Sequence, residues 1–148
     1  MSNALIIYGS TTGNTAYTAE TIAAYLTANG GYEVSLKSVA DIDVSELNDA
    51  WDLYLLGCST WGEEEIELQE DFESFYEGLT GDLNLSGKKF AVFGCGDSSY
   101  EYFCGAVDVI EERVQKLGAT LVADSLRIDG EPEEEEINEW TRDVIHGA

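Results

Sequence analysis

Glycines and hydroxyl side chains are concentrated in the stretch Gly9-Ser10-Thr11-Thr12-Gly13-Asn14-Thr15. This stretch follows the apolar run Ala4-Leu5-Ile6-Ile7-Tyr8 and opens an amphipathic segment from Asn14 to Leu26, so the local pattern is strand, tight turn and helix. The glycines let the backbone approach a ligand, the hydroxyl and amide groups donate hydrogen bonds, and the helix start adds unpaired N–H groups with partial positive charge. These residues predict a phosphate site that contains no cationic side chain.

Two common phosphate-binding motifs do not explain this turn. It lacks the lysine of a nucleoside triphosphate loop, and its glycines do not have the spacing of the dinucleotide fingerprint. Taken alone, the stretch also fits an ordinary strand-to-helix turn that is rich in turn-forming residues. The choice between these interpretations depends on other parts of the chain.

Two further glycine-containing stretches follow predicted strands and contain aromatic residues. One is Cys58-Ser59-Thr60-Trp61-Gly62-Glu63, and the other extends from Cys95 to Cys104. Trp61 and Tyr100 lie in polar loop sequence where no core is expected, and two rings on converging loops can hold a flat heterocycle between them. For either residue alone, a surface aromatic packed on its own loop is the alternative.

Five apolar strand patterns alternate with helical patterns along the chain. This alternation predicts an α/β fold with a doubly wound, five-stranded parallel sheet, helices on both faces, and a single domain that covers residues 1–148. With strand order 2-1-3-4-5, the loops after strands one, three and four meet at the edge where such sheets bind ligands. The predicted strands are Ala4–Tyr8, Tyr32–Lys37, Trp51–Gly57, Lys88–Gly94 and Ala119–Ile128, and the helical patterns are Asn14–Leu26, Leu68–Leu79, Val107–Leu117 and Glu133–Ile145.

The charge of the chain restricts its partners. Thirty acidic and seven basic residues among 148 give a formal net charge of −23. This charge disfavours nucleic acid and anionic membrane surfaces and favours partner proteins with basic faces. Solubility, or life in a salty habitat, is an alternative reason for the acidity.

The thiols and the hydropathy pattern indicate a cytoplasmic protein. Cys58, Cys95 and Cys104 show no Cys-x-x-Cys spacing, and the only histidine, His146, lies far from them in the sequence, so we expect reduced thiols and no metal site. No signal-peptide pattern and no apolar segment of membrane-spanning length is present in the sequence.

At its three glycine-containing stretches the chain resembles the flavodoxins, and the match runs from the first strand to the last helix. Ser10 to Thr15 resembles the loop with which this family binds the phosphate of flavin mononucleotide (FMN), and Trp61-Gly62 and Asp97 to Tyr100 resemble its two flavin loops. The fifth strand has no long insertion, as in the short-chain branch, and the resemblance is strongest to flavodoxins of sulfate-reducing bacteria. The run Glu63-Glu64-Glu65 is more acidic than is usual for the family.

The resemblance implies noncovalently bound FMN, with its phosphate on Ser10 to Thr15 and its ring between Trp61 and Tyr100. It also implies contacts to the pyrimidine edge from Asp97 and from the backbone around Cys95 and Cys104. The cofactor-binding residues that follow from it are Ser10, Thr11, Thr12, Gly13, Asn14, Thr15, Ser59, Thr60, Trp61, Gly62, Glu63, Cys95, Gly96, Asp97, Tyr100, Tyr102, Phe103 and Cys104.

The function implied by the resemblance is low-potential one-electron transfer, mainly between the semiquinone and hydroquinone of FMN, by a monomer without substrate turnover of its own. Hydrogenases, reductases or cytochromes with basic docking faces are the implied partners. A small FMN-dependent reductase is an alternative. A phosphate-binding receiver domain on the same fold is a weaker one, because it needs clustered aspartates after strand one and a lysine after strand five, where this chain has Gly9-Ser10 and Asp129-Gly130.

Overall fold

Seven strands and four helices form the framework of the protein in a computed structural model, which describes residues 2–9, 14–48, 51–61, 67–68, 70–79, 85–96, 105–129 and 132–148. The strands are β1 (Asn3–Gly9), β2 (Glu33–Ser38), β3 (Leu53–Trp61), β4 (Glu67–Leu68), β5 (Lys89–Gly96), β6 (Thr120–Leu121) and β7 (Leu126–Asp129). The helices are α1 (Asn14–Asn29), α2 (Glu70–Glu77), α3 (Gly105–Lys116) and α4 (Glu134–Gly147), with short 3-10 helices at Val39–Asp41 and Val44–Asn48.

Parallel pairing sets the order of the strands. The main sheet runs β2-β1-β3-β5-β6, and β7 also pairs with β5 in parallel. Because β6 and β7 share the position of the predicted fifth strand, the predicted order 2-1-3-4-5 is confirmed, as is the doubly wound α/β fold. The short strand β4 adds an antiparallel partner at the end of β3, where Thr60 lies opposite Leu68 and Trp61 opposite Glu67.

Several predicted boundaries were wrong. The fifth strand is not continuous, because residues 122–125 separate β6 from β7; there the Asp124 carbonyl accepts a hydrogen bond from the Trp140 indole at 2.6 Å. Trp61 is the last residue of β3 and does not lie in a loop, since pairing with β4 extends that strand. Leu68, predicted as helical, belongs to β4. Both differences at β3 arise from pairing between segments, which local sequence patterns do not contain.

Alternating residues of the central strands pack against different helices. Leu5 and Ile7 of β1 belong to a core with residues of α2 and α3, and this side is called the α2/α3 face. Ala4 and Ile6 belong to a core with residues of α1 and α4, called the α1/α4 face. This division is the one that a parallel sheet covered on both sides requires.

Two glycines end helices in the way that the sequence predicts. Gly31, shortly after α1, has φ +68°, and Gly118, shortly after α3, has φ +100°. These left-handed conformations strain residues with a Cβ, so glycine is favoured at both positions. No helix among the described residues has the length and apolar character needed to cross a membrane.

Candidate functional site

The carboxyl ends of the central strands are aligned along one edge of the sheet, which we call the carboxyl edge. Gly9 of β1 lies opposite Cys58 of β3, and Ser59 lies opposite Cys95 of β5. The row continues into β7, where Gly96 is opposite Asp129. The three stretches predicted to bind the cofactor therefore leave the sheet from adjacent strands at the same edge, as binding loops of such folds do.

Helix α1 begins beside this edge with a first turn suited to an anion. It starts at Asn14 and has no acidic residue in its first turn, whereas α3 has Asp108 there and α4 has three glutamates. In a chain with 30 acidic residues, this leaves the positive end of one helix dipole without a carboxylate from its own first turn. The start of α1 thus suits an anion such as the phosphate group of FMN.

Two buried threonines of α1 connect this helix to β5. The Thr18 hydroxyl lies 3.7 Å from Cys95 Sγ and donates to the Asn14 carbonyl at 2.9 Å. The Thr15 hydroxyl also hydrogen-bonds with the Cys95 thiol. Thr15 and Thr18 are 0% exposed and Cys95 is 5% exposed. The first turn of α1 and the carboxyl end of β5 are therefore joined by polar contacts inside the protein.

The electrostatic environment of Cys95 is unfavourable to negative charge. Burial raises the pKa of the Cys95 thiol above its ordinary value of 9.0, and the charge of Glu136 raises it further, while the hydrogen bonds with Thr18 and Thr15 act in the opposite direction. The thiol is therefore protonated at neutral pH. Glu136 belongs to the first turn of α4. This turn contributes negative potential where β5 ends.

The structure describes seven of the predicted cofactor-binding residues. Asn14 and Thr15 begin α1, Ser59 to Trp61 end β3, and Cys95 and Gly96 end β5. Thr15 and Cys95 are in direct contact, and the strand register aligns the last residues of β3 and β5. The other candidates lie outside the described residues: Ser10, Thr11, Thr12, Gly13, Gly62, Glu63, Asp97, Tyr100, Tyr102, Phe103 and Cys104.

Sequence reasoning missed Thr18 and placed Glu136 only in the helical pattern Glu133–Ile145. Thr18 is one turn beyond Thr15 and next to Ala19 in the apolar stripe of α1, so a polar residue on the inner face of the helix was the available signal. Glu136 gave no such signal, because its effect on Cys95 depends on how α4 packs beside α1. Among the described residues, no group of three or more His, Cys, Asp or Glu side chains is placed to hold a metal ion.

Comparison with known proteins identifies the family. The flavodoxin family profile matches residues 6–140. A flavodoxin of Maridesulfovibrio salexigens is 56% identical over 140 residues, which cover 95% of this chain and 94% of the relative. One from Nitratidesulfovibrio vulgaris is 51% identical over 148 residues, with 98% of both chains covered.

Solved structures agree with this result. The crystal structure of oxidised flavodoxin 2 from Bacillus cereus superimposes with a TM-score of 0.88 and 38% identity, covering 98% of this chain and 99% of that one. The fold, the alignment of strand ends at the carboxyl edge and the sequence resemblance at the three loops all agree with this family. The chain belongs to the flavodoxin family, whose members are FMN-binding electron-transfer proteins and not enzymes.

Proposed function

We propose that the protein is a low-potential one-electron carrier that holds noncovalent FMN at the carboxyl edge and shuttles mainly between its semiquinone and hydroquinone forms. The observation that supports this most directly is the alignment of Gly9, Cys58 and Cys95 at strand ends beside the start of α1. FMN supplies the one-electron redox chemistry, and the protein supplies binding, orientation and electrostatics.

The residues proposed to hold FMN divide by the part of the cofactor that they bind. Ser10 to Thr15 bind the phosphate through hydroxyl groups and the backbone N–H groups at the start of α1. Trp61 and Tyr100 enclose the ring, and Gly62 lies beside it with no Cβ to restrict its peptide. Contacts to the pyrimidine edge come from Asp97 and from the backbone around Cys95 and Cys104. Ser59, Thr60, Glu63, Gly96, Tyr102 and Phe103 complete the proposed set.

Negative charge around the site accounts for the proposed low potential. Burial is the main reason that the pKa of Cys95 is raised, and the negative charge of Glu136 adds to it, so the surroundings of the end of β5 already oppose the formation of an anion. A carboxylate at ~10 Å in an effective dielectric of ~20 disfavours an added negative charge by about 1.7 kcal/mol, or roughly 70 mV for one electron. Glu63, Asp97 and Glu101 of the two flavin loops are expected to act in the same sense.

The partners proposed are redox proteins with basic docking faces, of hydrogenase, reductase or cytochrome type. Glu133 to Glu136 are all exposed and lie at the start of α4, next to the carboxyl edge in the fold. With a net charge of −23, this acidic region attracts a cationic surface and accelerates encounter, more so at low ionic strength. We propose that the protein acts as a monomer.

A cytoplasmic location is part of the proposal. Cys58 and Cys95 are buried and form no disulfide, as is usual in reducing compartments. Immunoblotting of fractionated cells tests this assignment, and recovery outside the cytoplasmic fraction would contradict it.

A stepwise reductive titration of the purified protein, followed by its visible spectrum, tests the redox function. We expect a yellow protein that passes through a stable blue intermediate before it bleaches. A colourless preparation that takes up no added FMN contradicts the proposed function. Direct passage from yellow to colourless contradicts only the proposed pair of redox states.

The stacking role of Tyr100 is tested by Tyr100→Ala in the same preparation. Loss of one aromatic contact is expected to weaken FMN binding by about tenfold, which corresponds to about 1.4 kcal/mol. Tyr25→Ala, in α1, is the matched control and should leave the FMN dissociation constant unchanged. A dissociation constant equal to that of wild type for Tyr100→Ala would remove the ring contact from the proposal.

A further inference from the structure

Thr15, Thr18 and Cys95 form a buried group of polar side chains between α1 and β5, which we call the hydroxyl–thiol cluster. Its contacts are the Thr18 hydroxyl at 3.7 Å from Cys95 Sγ and the hydrogen bond of Thr15 with the same thiol. A second bond of Thr18, to the Asn14 carbonyl at 2.9 Å, reaches the first residue of α1. The cluster thus connects the end of a central strand to the start of the helix that follows β1.

Few other polar side chains are fully buried in this structure. The described residues that are both buried and polar or charged are Thr15, Thr18 and Thr141, all on the α1/α4 side of the sheet. The Thr141 hydroxyl donates at 2.8 Å to Ile137 in its own helix, so this bond links no second element. Burying a hydroxyl group is unfavourable unless it is hydrogen-bonded. The buried hydroxyls of the cluster therefore favour an arrangement of α1 and β5 in which their hydrogen bonds form.

Thiol reactivity does not explain the cluster. Cys95 is 5% exposed, and burial raises the pKa of its thiol. The nucleophilic thiolate is therefore disfavoured. The contacts instead restrict the position of the helix. Together with the apolar stripe of α1, they limit how far the first turn of α1 shifts or rotates relative to the carboxyl edge.

We propose that the hydroxyl–thiol cluster positions the first turn of α1 against the end of β5 and so determines the preference of the site for a flavin that carries a phosphate group. This inference rests on the proposed function. Hydrogen bonds from backbone N–H groups to a phosphate depend on the placement of the helix start, whereas the proposed ring contacts come from the end of β3 and from the loops after β3 and β5. Displacement of α1 therefore weakens binding of the phosphate more than binding of the ring.

The experiment compares FMN with riboflavin, which has the same ring system and no phosphate. The apoprotein is titrated with each flavin, and the ratio of the two dissociation constants measures the preference for phosphate. For Thr18→Val we expect FMN affinity to fall by about tenfold or more, the effect of weakening one charge-assisted hydrogen bond, with riboflavin affinity nearly unchanged.

The chain offers a matched control and a rescue. Thr141 is another fully buried threonine on the α1/α4 face, and its hydroxyl donates to the Ile137 carbonyl within its own helix. Thr141→Val should therefore leave the ratio at its wild-type value. Thr18→Ser retains the hydroxyl and should restore much of the ratio that Thr18→Val loses. Thr18→Ala also removes the hydroxyl group and provides a second variant where Thr18→Val fails to fold.

The possible outcomes distinguish the positioning role of the cluster from the existence of the FMN site. A selective loss of FMN affinity, with rescue by Thr18→Ser, supports the positioning role. Equal losses for FMN and riboflavin, or no loss for either, overturn it and leave the proposed FMN site intact. A wild-type apoprotein that binds neither flavin overturns both proposals.

Discussion

On the α2/α3 face, Tyr54 and Phe90 stack with ring centroids 4.8 Å apart, and Phe72 packs against Phe75 at 5.3 Å. On this side the Tyr54 hydroxyl makes its polar contacts toward the amino ends of the strands, where it accepts a hydrogen bond from Lys88 Nζ at 2.8 Å. On the α1/α4 face, threonines of α1 meet Cys95 at the opposite end of the strands. These two described groups of polar contacts therefore lie at opposite ends of the sheet and on opposite faces.

The two faces therefore make different contributions: one mainly stabilises the fold, and the other also positions the candidate site. Stacked aromatic residues on the α2/α3 face contribute buried apolar area. This area stabilises the fold but does not fix the position of the first turn of any one helix. Hydroxyl groups on the α1/α4 face contribute less free energy but prefer one geometry, because hydrogen bonds depend on distance and angle. The contacts of Thr15 and Thr18 with Cys95 at the carboxyl edge belong to the face that carries α1. We expect mutations on the two faces to have different consequences.

The largest effect is expected for Phe90→Ala on the α2/α3 face. Removal of this fully buried ring, which stacks on Tyr54, should lower the free energy of unfolding by about 3 to 5 kcal/mol. Urea unfolding monitored by circular dichroism measures this change. The FMN-to-riboflavin preference of the folded fraction should remain that of wild type, and a change in that preference would contradict the separation of the two faces.

A smaller loss is expected for Trp140→Phe on the α1/α4 face. This change removes the 2.6 Å hydrogen bond from the Trp140 indole to the Asp124 carbonyl, while a ring remains next to Phe93. The free energy of unfolding should fall by about 1 to 2 kcal/mol. Trp51→Phe, on the partly buried edge of the other face, serves as the control. An equal or larger loss of stability for Trp51→Phe would show that the lost ring area, and not the hydrogen bond, accounts for the effect.

The α1/α4 face is also expected to respond to alkaline pH through Cys95. The pKa of its thiol is raised in the folded protein, so its contribution to stability is complete below the unfolded pKa of about 9 and is lost as pH rises toward the folded value. The slope from one such group approaches about 1.4 kcal/mol per pH unit.

Urea unfolding across the alkaline range measures this response. Cys95→Ala should show a shallower decline of stability with pH than wild type. The pKa of Tyr32 is also raised, mainly by burial and further by the charge of Asp52. The variant Tyr32→Phe therefore identifies the separate decline in the free energy of unfolding that begins near the ordinary tyrosine pKa of 10.0. Identical pH profiles for Cys95→Ala and wild type would contradict the assignment to the thiol.

The smallest effect is expected outside both faces, at the exposed ion pair of α3. Lys116 Nζ lies 3.2 Å from Glu112 Oε1, and both side chains are 69% exposed. Lys116→Ala should change the free energy of unfolding by about 0.5 kcal/mol or less, and high salt should remove most of the difference. A larger loss that persists in high salt would show that surface pairs contribute comparably to either face.

Much of the fold was predictable from local patterns. The apolar runs of β1 and β5, the stripes of α1, α3 and α4, and the helix ends near Gly31 and Gly118 follow from periodicity and from the steric freedom of glycine. The extension of β3 to Trp61 and the break between β6 and β7 were not predictable in this way. The extension accompanies pairing with β4, and at the break the Asp124 carbonyl accepts a hydrogen bond from Trp140, so both involve residues distant in sequence.

For the candidate site, the sequence by itself determined which chemical groups follow each strand: hydroxyls and a glycine after β1, acidic residues after β3, and aromatic and acidic residues after β5. It also determined that these strands pair in parallel, because each alternates with an amphipathic helix. Only the tertiary structure decided that Cys95 faces Thr15 and Thr18, and that Glu136 adds its charge there. The physical reason is that the residue types are local properties of the chain, whereas distances and electrostatic interactions between elements exist only after the helices have packed on the sheet.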